Sequence, residues 1–147
     1  VMAHVWAARA VLPGMKARGE GYLLSTASAA GLLTSMPSAT YAVTKHAAIA
    51  FAEKMAILHG DAGIRVSVLC PQAVATPLFQ GREGKGAAVD GIISADDLAV
   101  NVVQAIDSET FLILPHPQVI DYFRRKANDY DRWLSGMRRM GAKLKAG

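Results

Sequence analysis

The chain has 147 residues, a net charge of +4 and 52% hydrophobic residues. This length favours one domain with a buried core, and this hydrophobicity excludes an intrinsically disordered chain. The apolar runs are too short for a membrane span, and we expect no secretory leader. A single cysteine, Cys70, excludes an internal disulfide, so the sequence predicts a cytoplasmic protein.

The positive charge is concentrated at the carboxyl terminus. Residues 1–120 carry eight basic and nine acidic side chains, whereas residues 121–147 carry eight basic and three acidic ones. A basic tail of this kind can bind nucleic acid or an anionic membrane, but it is more often a solvated helix face. The four histidines are scattered. We therefore expect no metal site and no nucleic-acid partner.

Hydrophobic periodicity predicts helices and strands in alternation. The elements predicted for the first half are a helix over 1–18, a strand over 21–28, a helix over 38–59 and a strand over 64–70. Ser38 is placed to cap the second helix, and Pro71 ends the second strand. Few charges interrupt the helix over 38–59, which indicates that protein covers most of its circumference.

The second half begins with a predicted glycine-containing loop over residues 72–93, of the kind that forms a functional lid or stays disordered. Ser94 and Asp97 resemble a capping box that opens a helix, and a third strand follows over residues 110–114. Alternating strands and helices predict an α/β fold with a parallel sheet. Three such strands make only half of a doubly wound sheet.

A long basic helix is predicted from about Pro117 onwards. Its apolar stripe has alternating steps of three and four residues and consists of Ile120, Phe123, Ala127, Tyr130, Leu134, Met137, Gly141 and Leu144. Such a helix can lie on an anionic membrane, but we predict that it extends an oligomer interface or covers the mouth of a site. Its arginines are expected to face solvent.

Tyr41 and Lys45 are four residues apart on the predicted helix over 38–59, so their side chains share a face. An ammonium beside a phenol favours the ionised phenol, which is useful in general acid–base chemistry. Ser28 lies thirteen residues earlier, at the carboxyl end of the first predicted strand, where open parallel sheets bind ligands. Each feature alone also fits a plain structural role.

These residues together resemble the short-chain dehydrogenase/reductase family. The matching segments, in the family's order and spacing, are Ser28-Ala-Ala-Gly31, Tyr41-Ala-Val-Thr-Lys45, Gly63-Ile-Arg-Val66 and Pro71-Gln-Ala-Val-Ala-Thr-Pro77. The resemblance implies a Rossmann-like fold and a hydride transfer between NAD or NADP and an alcohol or ketone. It covers residues 1–80 strongly and continues loosely to residue 114, which leaves 115–147 as a separate helical extension.

The resemblance also implies a role for each matched residue. Tyr41 would be the acid/base, Lys45 would hold the nicotinamide ribose and favour the ionised tyrosine, and Ser28 would orient the substrate oxygen. The segment Pro71–Thr76 would hold the nicotinamide, through the Val74 backbone and the Thr76 hydroxyl. Gln72 stands where the family usually has glycine, which puts nicotinamide affinity in doubt.

The family's glycine-rich phosphate loop and first strands have no counterpart in this sequence, which contains no G-x-G-x-x-G motif. The family's catalytic asparagine would fall about one position before Val1. We therefore expect the chain to be the carboxyl-terminal half of such an enzyme, inactive alone and a homodimer or homotetramer at full length. The alternative is a non-catalytic short chain that acts through helix-mediated oligomerisation.

The substrate class implied is a small alcohol or ketone, and its identity is left open by the sequence. The apolar residues beside the motifs would favour a hydrophobic one: Leu32, Leu33, Met36, Leu78 and Phe79. Cys70 also lies beside the motifs but has no base nearby in sequence, so we expect a buried, unreactive thiol.

Overall fold

The computed structural model describes residues 1–79 and 88–146, in which the predicted helices and strands of the main sheet follow one another in the predicted order. The elements are α1 (Met2–Arg18), β1 (Gly21–Thr26), α2 (Ala39–His59), β2 (Ile64–Leu69), β3 (Ala73–Val74), β4 (Ile92–Ile93), α3 (Ala95–Asp107), β5 (Leu112–Ile113), α4 (Gln118–Asn128) and α5 (Tyr130–Ala146). Single 3-10 turns cover Ala29–Gly31 and Gly60–Ala62.

The main sheet is parallel and has the strand order β1-β2-β5. β2 is central and is buried on both faces, as expected for a strand with helices above and below. Its residues Ile64, Val66 and Val68 join the core beneath α2, whereas Leu69 packs with Ala105 of α3 on the opposite face. This arrangement confirms the α/β fold with a parallel, doubly wound sheet.

Serine side chains begin two of the helices, as the sequence predicted. Ser38 Oγ accepts a hydrogen bond from the Tyr41 N–H at 3.1 Å, and Ser94 Oγ accepts one from the Asp97 N–H at 3.0 Å. The Asp97 carboxylate in turn accepts a hydrogen bond from the Ser94 hydroxyl at 2.7 Å. Each cap contributes about 1 kcal/mol, and the Ser38 cap fixes the first turn of α2, on which Tyr41 lies.

Gly19 and Gly63 allow the connection between α1 and β1 to pass close to the connection between α2 and β2. Gly63 has a φ of +76°, and a Cβ there would lie 1.9 Å from the Gly19 carbonyl oxygen. Only glycine tolerates both that conformation and that approach. The crossing sets the start of β2 beside β1, with Gly21 opposite Ile64.

Two expectations were wrong in detail. Residues 72–93 are not a structureless loop, because β3 and β4 pair in parallel at its two ends; residues 80–87 lie outside the described part. The predicted long basic helix is two helices, since Asp129 adopts an extended conformation between α4 and α5. Asp129 then caps α5 by accepting a hydrogen bond from the Arg132 N–H at 2.9 Å.

The basic tail packs on the domain rather than projecting from it. Phe123 of α4 packs against the core cluster, and Val119 is fully buried in it. The five arginines of these two helices are exposed, as the sequence predicted: Arg124, Arg125, Arg132, Arg138 and Arg139. Among the helices of the described residues, none is both long enough and apolar enough to cross a membrane.

Candidate active site

The candidate site lies at the carboxyl ends of β1 and β2, which are neighbours in a parallel sheet. The chain segments that leave these strands stay joined by backbone hydrogen bonds. The Ala27 N–H donates to the Leu69 oxygen at 2.8 Å, and the Ala29 N–H donates to the Pro71 oxygen at 2.9 Å. The sheet ladder is thus extended past its last strand residue, which places Ser28 beside Pro71.

Ser28 caps the short turn over Ala29–Gly31. Its Oγ accepts a hydrogen bond from the Ala30 N–H at 3.2 Å and donates one to the Pro71 oxygen at 3.4 Å. The second bond is at the long limit for an O–H donor. The hydroxyl oxygen is therefore fixed by the turn, while its proton can be redirected to a ligand at little cost.

Tyr41 and Lys45 lie on consecutive turns of α2. Lys45 Nζ donates to the oxygen of Thr26, the last residue of β1, at 3.3 Å, and lies 5.5 Å from the centre of the Tyr41 ring. Tyr41 is 41% exposed, so its phenol is open to a ligand. The anchored ammonium brings a fixed positive charge close to the phenol.

Gly31 allows the turn that carries Ser28 to touch α2. A Cβ at this position would lie 2.7 Å from the Lys45 carbonyl oxygen and 2.7 Å from Ile49 Cδ1. A backbone oxygen cannot yield as a flexible side chain can. The absence of a side chain at Gly31 therefore fixes the distance between the Ser28 turn and the helix of Tyr41 and Lys45.

The segment Pro71–Thr76 leaves β2 at the same edge of the sheet. Ala73 and Val74 form β3 and are buried, and the Ala75 N–H donates to the Ile93 oxygen at 2.9 Å. The Thr76 hydroxyl donates to the Val74 oxygen at 3.4 Å. Pairing with β4 therefore fixes the segment that carries Val74 and Thr76.

Gln72 is held by a buried histidine that the sequence analysis did not single out. His116 is 2% exposed, and its Nδ1 accepts a hydrogen bond from the Gln72 N–H at 3.2 Å. This bond requires an unprotonated Nδ1. Burial lowers the pKa of His116, although Gly91, Asp90 and Ala73 act in the opposite direction. The signal in the sequence was the position of His116, two residues after the predicted strand over residues 110–114.

Two further polar groups lie around this histidine. The Tyr122 hydroxyl donates a hydrogen bond to Asp90 Oδ1 at 2.7 Å, and this hydrogen bond raises the pKa of Tyr122. Within residues 1–79 and 88–146, the Gln72 Oε1, Asp90 Oδ2 and His116 Nε2 atoms are buried without a hydrogen-bond partner. At Gln72, the Pro71–Thr76 segment is thus hydrogen-bonded to a histidine with polar neighbours.

This cluster predicts a pH-dependent stability. Because the pKa of His116 is lowered on folding, the unfolded chain binds more protons once the pH falls below about 6.5. The free energy of unfolding is therefore expected to fall as the pH drops through this value, and to stop falling below the folded-state pKa. Denaturant titrations between about pH 7 and about pH 5 measure the slope.

The His116→Gln variant is expected to flatten that slope, because its amide oxygen can still accept from the Gln72 N–H without titrating. The matched comparison is His4→Gln in α1: burial lowers the pKa of His4 as well, so each substitution is expected to remove a part of the slope and the double variant more than either. An unchanged slope in His116→Gln would contradict the assignment of the titration to His116.

Cys70 lies beside the site but is fully buried. Burial raises the pKa of its thiol to about 11, against smaller opposing effects of the Ser28 backbone and the Lys45 charge. Such a thiol is protonated at neutral pH and is a poor nucleophile. The prediction that Cys70 is buried is confirmed, and its low reactivity stays a prediction.

The apolar residues considered as a pocket lining lie in different surroundings. Leu32 is buried in the main core, and Leu33 packs against that core. Met36 and Leu78 are exposed, and Phe79 is half-buried. Among the described residues, no group of histidine, cysteine or carboxylate side chains is arranged to hold a metal ion.

Comparison with protein families and curated proteins gives a consistent set of relatives. The family model described as short chain dehydrogenase matches residues 1–85. The 1-deoxy-11-beta-hydroxypentalenate dehydrogenase of Streptomyces exfoliatus is 37% identical over 135 residues, which are 90% of this chain and 49% of that protein. Epidermal retinol dehydrogenase 2 of Mus musculus is 31% identical over 77% of this chain and 38% of its own length.

Solved structures show the same fold. A short chain dehydrogenase/reductase from Burkholderia phymatum in complex with NAD has a TM-score of 0.72 and 26% identity, with 89% of this chain and 56% of that one covered. A short-chain dehydrogenase from Sphingobium yanoikuyae in complex with NADPH has a TM-score of 0.73 at 20% identity, with 92% of this chain and 53% of that one covered. The chain thus spans about half the length of the relatives it matches.

Proposed function

The chain belongs to the short-chain dehydrogenase family, and on that basis we propose that it forms the catalytic half of an NAD(P)-dependent oxidoreductase acting on an alcohol or ketone. The relatives' names specify a hydroxypentalenate and retinol. An alcohol or the matching carbonyl compound, with a hydrophobic body, is the substrate class that we propose. The activity belongs to a protein in which this chain follows a phosphate-binding half.

The observation that carries this proposal is the convergence of Ser28, Tyr41 and Lys45 at one sheet edge. Ser28 leaves β1, Lys45 Nζ is hydrogen-bonded to the last oxygen of β1, and Gly31 packs the Ser28 turn onto the Lys45 backbone. A hydroxyl donor, a phenol and an ammonium are the groups needed to bind an alcohol oxygen and move its proton. A Tyr-x-x-x-Lys motif that occurred by chance would not be expected to lie against the turn that carries Ser28, as Lys45 does here.

Each residue has a distinct role in the proposed reaction. Tyr41 exchanges the proton of the substrate hydroxyl, as base in oxidation and as acid in reduction. The Lys45 ammonium, 5.5 Å from the phenol ring, stabilises the phenolate that forms when Tyr41 acts as an acid. Ser28 keeps its oxygen on the Ala30 N–H and turns its proton from Pro71 to the substrate oxygen, which fixes the carbon being oxidised or reduced.

The residues present fit a nicotinamide cofactor. Lys45 and Tyr41 offer donors to ribose hydroxyls, and Pro71, Gln72, Val74 and Thr76 form a fixed wall beside them. When bound, the nicotinamide supplies or accepts the hydride. The Gln72 N–H already donates a hydrogen bond to His116, so the Gln72 backbone does not have to bind the cofactor and is compatible with this fit.

The test is an assay of a joined protein, in which this chain follows a phosphate-binding half. That half comes from the reading frame upstream of the Val1 codon, where one continues, or from the Streptomyces exfoliatus relative, which is 37% identical here. The joined protein is expected to reduce NAD or NADP with at least one member of a panel of hydrophobic primary and secondary alcohols. No reduction with any alcohol, by a folded joined protein, would contradict the proposal.

We further propose that residues 1–114 are the carboxyl-terminal half of a Rossmann-like domain and that residues 115–147 are its helical extension. β1 forms the edge of the described sheet, where the remaining strands of such a domain would pair. The full-length protein is proposed to be a homodimer or homotetramer.

The exposed side of α2 supports this association. Val43 is 67% exposed and Ile57 is 77% exposed, although the sequence predicted that protein covers this helix. Exposed apolar residues on one helix favour packing against a second copy. Light scattering of the joined protein is expected to give a dimer or a tetramer, and a monomer would contradict the proposal.

A further inference from the structure

Lys126 of α4 is a buried lysine that reaches across the molecule to the turn carrying Ser28. It is 6% exposed, and its Nζ donates to the Leu32 oxygen at 2.7 Å and to the Leu33 oxygen at 2.8 Å. These bonds join residues more than ninety positions apart in sequence. The arginines of the tail face solvent as predicted, whereas Lys126, for which no prediction was made, is buried.

The charge of Lys126 is balanced by dipoles and aromatic rings. Its Nζ lies 4.9 Å from the centre of the Trp133 ring and 5.5 Å from that of Tyr130, distances typical of cation–π contacts. The two ion pairs found among residues 1–79 and 88–146, Arg65–Glu109 and Arg124–Asp121, do not include it. A desolvated ammonium is costly, so its hydrogen bonds to the two carbonyls matter for stability.

The two carbonyls end the turn that Ser28 begins. The Leu32 and Leu33 N–H groups both donate to the Ala29 oxygen, so this turn is a single helical turn whose last carbonyls have no later N–H in a helix. Ser28 caps its amino end through the Ala30 N–H, and Lys126 caps its carboxyl end. Ser28 and Lys126 therefore hold the opposite ends of one turn.

A second contact ties the extension to the same loop. A Cβ on Gly141 of α5 would lie 2.5 Å from Met36 Cε, so α5 packs directly on the residues that follow the turn. We propose that Lys126 is a positioning residue, which locks the Ser28 turn to the helical extension and so sets the geometry of the substrate oxygen. This inference rests on the proposed role of Ser28.

The first test measures the turn itself and does not depend on activity. In the joined protein, Lys126→Met removes the two donors and keeps an unbranched side chain. Amide hydrogen exchange over residues 28–36 is expected to accelerate at least about tenfold, the change that corresponds to one lost charged hydrogen bond. The matched control is Lys143→Met, at an exposed lysine of α5, which should leave this exchange unchanged.

The second test asks whether the kinetic effect of replacing Lys126 requires Ser28. Lys126→Met is expected to lower kcat/KM for the alcohol by about 10²-fold, with the KM for NAD or NADP unchanged, since a misplaced contact near the reacting atoms has this size of effect. In a Ser28→Ala background the same substitution is expected to cost less than about twofold, because the group that it positions is gone. Lys126→Arg keeps the donors and should restore part of the rate.

The two arms separate the failure of this inference from that of the proposed function. Unchanged exchange over residues 28–36 in Lys126→Met would overturn the inference whether or not the enzyme is active. Equal losses in the Ser28 and Ser28→Ala backgrounds would also overturn it, since they indicate general destabilisation. A joined protein without turnover would contradict the proposed function, and the exchange measurement would then decide the role of Lys126 alone.

Discussion

Replacing Tyr41 with phenylalanine in the joined protein is expected to lower kcat by about 10²–10⁴-fold, the usual contribution of a positioned acid or base. Only one oxygen is lost from a side chain that is 41% exposed, so the fold should be retained. Binding of NAD or NADP should weaken by less than about tenfold, because Tyr41 loses one neutral donor while Lys45 and the Pro71–Thr76 segment are unchanged. Steady-state kinetics with the preferred alcohol, together with circular dichroism, measure both effects.

Tyr22→Phe is the matched control, because it removes the same atom at a different place. The Tyr22 hydroxyl is 2.6 Å from Ser67 Oγ in the sheet, so this variant should lose about 1 kcal/mol of stability and keep its kcat. The pair separates a chemical effect from a loss of stability. A Tyr41→Phe enzyme with kcat near that of the parent would contradict the role of Tyr41 as the acid or base.

The elements that the sequence predicted well are those whose signal is local. The first helix is predicted from its own hydrophobic period, and Ala8, Leu12 and Met15 are among the residues that it turns inward. The caps at Ser38 and Ser94 are also local, because the donor lies three residues away. For the same reason Tyr41 and Lys45 fall on one side of α2.

The features that the sequence did not predict depend on distant partners. β3 and β4 have two residues each and pair with each other, and two residues are too few to show a period of two in the sequence. Lys126 lies on the buried side of α4, seven residues after Val119 and three after Phe123. That spacing is visible in the sequence, but the carbonyls that make burial of its charge possible belong to a turn more than ninety residues earlier.

The same reasoning explains which part of the candidate site could be assembled from the sequence. Placing Ser28 and Pro71 at the ends of two parallel strands was sufficient to bring them together, since neighbouring strands end at one edge. His116 could not be placed there, because β5 has only two residues and its register with β2 was unknown. Its hydrogen bond to the Gln72 N–H is a consequence of that register.

The 147-residue chain by itself is expected to bind NADH and NADPH about 10³-fold more weakly than the joined protein. Backbone N–H groups at a glycine-rich turn hold the pyrophosphate of a dinucleotide, and this sequence contains no G-x-G-x-x-G motif. Loss of two charged hydrogen bonds costs about 4 kcal/mol, which is about 10³-fold in the dissociation constant. The chain contributes the nicotinamide side, through Lys45 and the Pro71–Thr76 segment.

Fluorescence titrations of NADH and NADPH against both proteins measure this difference, with circular dichroism to show that each is folded. Lys45→Met in the joined protein is also expected to weaken the binding of both cofactors, because Lys45 holds a positive charge at the carboxyl end of β1. This variant separates the two contributions, since the phosphate-binding half is intact in it. A dissociation constant for the 147-residue chain within about tenfold of that of the joined protein would contradict the prediction, because binding would then require no phosphate-binding half.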